Sequence, residues 1–159
     1  MHTFVFSLYL KDNPRKYNNA SSSTYRSNGE EFTADYNSGQ VRGYLSQDSV
    51  TVGRFTVKNQ VFGEAILEPD RFADHLINDG VIGLGLSNIA KNEHPSVFDN
   101  MVSQELLPAP VFSFYLNRDN TDDRDSVLIL GGTNAEYYTG EFTFADLIVP
   151  NSWNFWLDG

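Results

Sequence analysis

Asp79-Gly80-Val81-Ile82-Gly83-Leu84-Gly85 sets apolar side chains among glycines. Such a run predicts a buried strand whose backbone another segment approaches closely. It has too little side-chain volume to fill a core, and its glycines leave room for a neighbour to lie against it. The organisation of the chain turns on which segment that neighbour is.

The 159 residues suffice for one domain with a sizeable core and are too few for two ordinary ones. Hydrophobic residues make up 40 % and aromatics 14 %, a balance that argues for a packed protein over a disordered one. Eleven basic residues stand against 21 acidic ones, a formal charge of −10, which disfavours nucleic acid and anionic membrane surfaces as partners. There is no cysteine, hence no disulfide framework and no thiolate metal site. No apolar run reaches membrane-spanning length. The apolar opening from Met1 to Leu10 has no basic region before it and meets Lys11-Asp12-Asn13-Pro14 where a small-residue cleavage site belongs. It reads as a strand or an atypical start and not as a convincing signal peptide.

Outward from the glycine run, the pattern is mostly β. Glu31 to Tyr36 alternates, Asn37-Ser38-Gly39-Gln40 makes a hairpin tip, and Val41 to Val52 returns as a long strand. Phe55 to Val57 and Gln60 to Ile66 continue it after a turn at Gly53. Phe72, Ala73, Leu76 and Ile77 have helical spacing. A second helix opens at Pro95-Ser96, with Ser96 and Asp99 as a capping box and Val97, Phe98, Met101, Val102 and Leu106 as its apolar face. Pro108 and Pro110 are expected to end it. Strands are expected at Val111 to Leu116, Val127 to Leu130 and Glu141 to Val149, with another starting at Trp153. No internal repeat is expected. The fold class is all-β with two short helices.

Most familiar chemistries are missing. His2, His75 and His94 lack the spacing of a zinc site. Asn88 stands where a dinucleotide loop needs its third glycine. The acidic loop Asp119 to Asp125 has neither the central glycine nor the closing glutamate of a calcium-binding EF-hand, so it reads as a solvated turn. No cofactor and no metal is expected. Asn19-Ala20-Ser21 is a glycosylation sequon at Asn19.

The order of motifs resembles one family, the pepsin-like aspartic endopeptidases, on their cathepsin D and pepsin branch. The carriers run from Lys16-Tyr17-Asn18 and Ser22-Ser23-Thr24-Tyr25 through Tyr36-Asn37-Ser38-Gly39 and Gly43-Tyr44-Leu45-Ser46-Gln47-Asp48. Gln60 to Ala65, Asp79 to Gly85, Val97-Phe98-Asp99-Asn100, Phe112 to Leu116, Leu130-Gly131-Gly132, Tyr137 to Gly140 and Trp153 continue the series. The resemblance implies an incomplete bilobal acid-protease fold. Residues 1–15 would be an atypical N-terminal segment, 16–145 a partial N-terminal lobe with its flap, and 146–159 the start of the C-terminal lobe. It implies a peptide or protein substrate and a secreted or lysosomal location. Tyr36 corresponds to the flap tyrosine, Ser38 and Gly39 to the flap tip, and Phe72 and Val81 to the lining of the pocket beside the scissile bond. Asn37 replaces the usual glycine, a change that αL-tolerant asparagine accommodates. Tyr36, Phe72 and Val81 also suit an ordinary core.

The family's reaction needs two aspartates, each in an Asp-Thr-Gly or Asp-Ser-Gly turn. They share one proton because two close carboxylates cannot both ionise. Neither triplet occurs here: Asp48-Ser49 precedes Val50 and Asp125-Ser126 precedes Val127. The expectation is therefore an aspartic-endopeptidase chain without catalytic residues, inactive by itself. The alternative is a non-catalytic peptide-binding or decoy protein.

Overall fold

The computed structural model describes residues 5–7, 17–36, 39–67, 80–86, 94–118, 125–149 and 153–157. Among these residues, seven strands and one α-helix follow in this order: β1 (Val5–Ser7), β2 (Arg26–Tyr36), β3 (Gly39–Val52), β4 (Phe55–Leu67), β5 (Gly80–Val81), α1 (Val97–Ser103), β6 (Phe112–Tyr115) and β7 (Val127–Leu130). Short 3₁₀ turns occupy Asn19–Ser21 and Ala135–Tyr137. The architecture is mostly β, as expected. The helical spacing around Phe72 lies outside the described residues.

A five-stranded sheet runs in the order β2-β3-β4-β1-β5, and β6 pairs with β7 in a separate two-stranded sheet. The two faces of the larger sheet hold two cores, and β3 shows why. Its first half buries Val41 and Leu45, which join Phe32, Ala34 and Ala65 on one face. Its second half buries Ser46, Asp48 and Val50 on the other. There Val50 packs with Val57, Phe62, Val97 and Met101. Because side chains alternate across a strand, a shift in buried parity between Leu45 and Ser46 sends the same strand into both cores.

Phe32 depends on two glycines. Its ring lies against Gly43 and Gly63, where an added Cβ would fall 2.7 Å and 2.6 Å from ring atoms. Any side chain at either position would occupy the space of the ring. Those glycines serve close packing and not turning.

α1 forms where the capping box predicted. Asp99 N–H donates to the Ser96 hydroxyl, and Ser96 N–H donates back to the Asp99 carboxylate at 3.0 Å. Val97 and Met101 are buried as expected, whereas Val102 is exposed. The helix also stops earlier than Pro108. Glu105 takes a left-handed φ of 55° and Leu106 N–H bonds back to Met101 C=O, which closes the helix by its own backbone.

Amide side chains fasten α1 to the sheet. Asn59 has φ 55° beside a register shift between β3 and β4, so the ladder is interrupted there. Gln104 fills the gap: its carbonyl accepts from Lys58 N–H at 3.0 Å and its NH₂ donates to Lys58 C=O at 2.9 Å. Gln60, itself buried, donates to Pro95 C=O and accepts from Asn100.

The glycine-rich run departs from expectation. Of its described residues only Gly80 and Val81 are in a strand, and Val81 and Ile82 are exposed. The neighbour of this segment is β1, which pairs antiparallel with β5 and parallel with β4. No strand forms over 141–149 or 153–157, although both were expected as strands. Strand-like composition needs a partner ladder. The two segments meet through the bond from Ile148 N–H to Asn154 C=O at 2.8 Å, which does not grow into one.

Candidate functional site

Residues 17–25 form a strap across one face of the sheet, held by two buried carboxylates. Asp48 accepts from the Tyr17 hydroxyl at 2.7 Å, from the Thr24 hydroxyl, and from Ser49 N–H at 2.7 Å. Glu64 accepts from Asn19 Nδ2 at 3.0 Å and from the buried Ser46 hydroxyl at 2.5 Å. The Tyr17 ring meets Phe62 edge-on, which plants the strap on the α1-side core.

Burial by itself pushes the Asp48 carboxyl up, but hydrogen bonds from Thr24, Tyr17, Ser22 and Ser49 N–H outweigh it and hold the group below the ordinary carboxylate value. Burial pushes the Tyr17 phenol strongly up, reinforced by its bond to Asp48 and by the charges of Asp48 and Glu64. Tyr17 is thus a permanent donor and Asp48 a permanent acceptor near neutrality. Each carboxylate is occupied by its own hydroxyl and amide donors, so the two form structural clasps and not a proton-sharing pair. Their burial was missed from sequence. The signal was available, because Ser46, Asp48 and Val50 alternate on one side of β3.

The hairpin β2–β3 carries the flap candidates. Tyr36 pairs with Gly39 at its end, and Gly39 has φ 132°, a conformation that favours glycine. Gln40 donates to Asp35 at 2.8 Å and Arg42 Nε donates to Gln40 at 2.6 Å, a side-chain chain that stiffens the stem. Tyr36 is half-buried and packs against the core of Phe32, Ala34 and Val41. Ser38 and Phe72 lie outside the described residues. Val81 sits on β5 at the opposite edge of the strand order, so the sheet brings Tyr36 and Gly39 together and leaves Val81 apart.

An apolar cup of about 880 Å³ adjoins the glycine-rich run, lined by residues that include Ile82, Leu84, Phe98, Phe112, Phe114 and Trp153. Phe112 is its centre, with Phe98, Phe114 and Trp153 edge-on at 5.0, 5.8 and 5.5 Å. Trp153 Nε1 donates to Leu84 C=O at 2.8 Å and so ties residues 153–157 to the glycine run. Among the described residues no ionisable side chain lines the cup, and its aromatic and aliphatic walls suit packing. Among the described residues no cluster of three or more His, Asp or Glu could hold a metal, and no helix is long and apolar enough to cross a membrane.

Residues 3–159 match the family described as eukaryotic aspartyl protease, and the chain belongs to that family. Cathepsin D of Clupea harengus is 44 % identical over 144 residues, 91 % of this chain and 36 % of that protein. Cathepsin D of Gallus gallus is 40 % identical over 143 residues, 90 % of this chain and 36 % of its own length. Cathepsin D of Dictyostelium discoideum is 43 % identical, again over 90 % of this chain and 37 % of its own length. The chain therefore spans little more than a third of the curated relatives it matches.

Proposed function

We propose that these residues form the flap-bearing side of a peptide cleft in an aspartic endopeptidase and do not cleave peptides by themselves. The observation that carries the reading is the stiffened β2–β3 hairpin, with Tyr36 opposite Gly39, in a family member whose 159 residues contain no Asp-Thr-Gly or Asp-Ser-Gly triplet. In such an enzyme one ionised carboxylate activates water while a protonated partner polarises the scissile carbonyl. The flap closes over the bound peptide and excludes solvent. This chain supplies the flap and not the carboxylate pair. Asp48 and Glu64 cannot substitute, since each is consumed by its own donors.

The test is incubation of the purified chain with denatured protein at acid pH. No cleavage is expected, and pepstatin-sensitive proteolysis would overturn the reading. The same hairpin supports a second reading, a peptide-binding or decoy role without chemistry. Titration with a statine-type peptide separates the two: saturable binding supports the decoy role, and none at millimolar concentration ends it. Tyr36→Phe keeps the ring that packs on Phe32 and Ala34, so it serves as the packing control for Tyr36→Ala.

A secreted or lysosomal location and a glycan on Asn19 belong to this proposal. Asn19 Nδ2 is committed to Glu64, and a glycosylated amide keeps one N–H with which to hold that bond. A mobility shift on endoglycosidase treatment, lost in Asn19→Gln, is the expected sign.

A further inference from the structure

Asn28-Gly29 is the only asparagine–glycine pair in the chain. It falls inside β2, which runs from Arg26 to Tyr36. A strand ordinarily protects such a pair, because ladder hydrogen bonds hold the backbone nitrogen between the two residues and fix the torsions beside it. At this place the ladder is interrupted. Ser27 pairs with Ser46 and Glu31 with Tyr44, so Asn28, Gly29 and Glu30 stand against Leu45 alone. β2 therefore bulges, and within the bulge Gly29 takes a left-handed φ of 80°.

The bulge gives the pair a freedom that a regular strand would deny it. Gly29 has no partner in the register of β2 with β3, and a Cβ built on it meets nothing within 4 Å, so its nitrogen is uncrowded. The Asn28 amide is not tied down either. Among the described residues the amide nitrogens of Asn19, Asn100 and Asn134 are engaged by Glu64, Gln60 and Glu136, and no hydrogen bond engages the side chain of Asn28. That side chain can swing toward Gly29 without losing a hydrogen bond, and the main chain can turn with it without opening a ladder pair.

We propose that Asn28 is a site of spontaneous covalent modification in the folded chain, converted to aspartate and isoaspartate through a cyclic imide with Gly29. The Gly29 backbone nitrogen gives up its proton and attacks Asn28 Cγ. A bond from that nitrogen to Cγ forms, the bond from Cγ to Nδ2 breaks, and the amide leaves as ammonia, taking up a proton. Water then opens the five-membered imide. Cleavage of the new bond gives aspartate; cleavage of the original peptide bond gives isoaspartate, whose main chain runs through Cβ and Cγ. Either product adds a negative charge beside Glu30 and Glu31. The longer main chain of isoaspartate falls where no residue is paired, so the pairs from Glu31 to Tyr36 that carry the hairpin keep their register.

The test is incubation of the folded chain near neutral pH at physiological temperature, followed by tryptic digestion and mass spectrometry. The peptide from Ser27 to Arg42 should gain the mass difference between an acid and its amide and should resolve into an aspartate and an isoaspartate form. Fragmentation should assign the change to Asn28; a change confined to Asn37, the other asparagine of that peptide, would overturn the proposal. The reference rate is that of a synthetic peptide spanning Arg26 to Phe32. The folded chain should react within about tenfold of it, and a slower reaction would mean that the bulge protects the pair as a strand does. In Asn28→Gln, whose longer side chain cannot close a five-membered ring, position 28 should stay intact; conversion there at the parent rate would overturn the mechanism. Ser96→Ala separates the bulge from global unfolding, since it weakens the fold from α1. The rate at Asn28 should be unchanged in that variant. An acceleration would show that the unfolded chain is what reacts, and would overturn the proposal.

Discussion

Gly43→Ala is the sharpest test of how the sheet is packed. A Cβ built on Gly43 would lie 1.9 Å from the carbonyl oxygen of Glu64 and 2.7 Å from the Phe32 ring. Ordinary contact begins near 3.4 Å, so β3 and β4 would have to part by more than an ångström while the Phe32 ring moved as well. The first neighbour is backbone and cannot rotate away. The ring is 3 % exposed and walled by Ala34, Val41, Leu45 and Ala65, so it has nowhere to go. Overpacking of a core costs about 1–3 kcal/mol where side chains can adjust. Here a backbone ladder must also open, so a loss at or above about 3 kcal/mol is expected. Gly132→Ala is the matched control: nothing lies within 4 Å of its Cβ and its φ is not left-handed. It should be neutral or stabilise by about 0.5 kcal/mol through the unfolded chain. Urea unfolding followed by circular dichroism reads both. A Gly43→Ala protein within about 1 kcal/mol of the parent would refute the packing described for Phe32.

Asp48→Asn should lower stability at neutral pH by about 1–3 kcal/mol, because a buried acceptor of hydroxyl and backbone donors is exchanged for a group that also donates. The folded Asp48 has a depressed pKa, so its ionised form stabilises the fold above the unfolded value of 3.8, and that contribution is lost as pH falls through the folded value. The difference in stability between parent and Asp48→Asn should therefore shrink on acidification below pH 3.8, and a difference constant down to about pH 2 would count against the clasp. Ser96→Ala removes a capping box and should cost about 1 kcal/mol, read as a lower melting temperature. Glu105→Gly should act in the opposite sense by about 0.5–1 kcal/mol, since glycine adopts the left-handed conformation that closes α1 without strain. No gain in melting temperature would argue that Glu105 makes a compensating contact.

Local signals were legible in the sequence where one residue type does one job. The Ser96/Asp99 box placed the start of α1, and the alternation from Phe32 to Tyr36 followed by Asn and Gly placed the hairpin. What escaped was set by partners distant in the chain. Asp48 and Glu64 look like solvated strand residues until Tyr17, Thr24 and Asn19 are brought over them from a preceding segment. Residues 141–149 have strand composition, but a strand is a relation between segments, and among the described residues no neighbour completes it. Of the proposed cleft residues, Tyr36 and Gly39 were placed together by the hairpin alone, whereas Val81 depended on the strand order of the whole sheet.

The Gln104 amide at the break in β4 has a use beyond fastening. Lys58 N–H is bonded to a side chain from a segment 46 residues away, so that hydrogen bond slows exchange of its proton only while the helix is docked. Hydrogen exchange at that one amide would time the undocking of α1 directly, separately from the melting of the sheet beneath it.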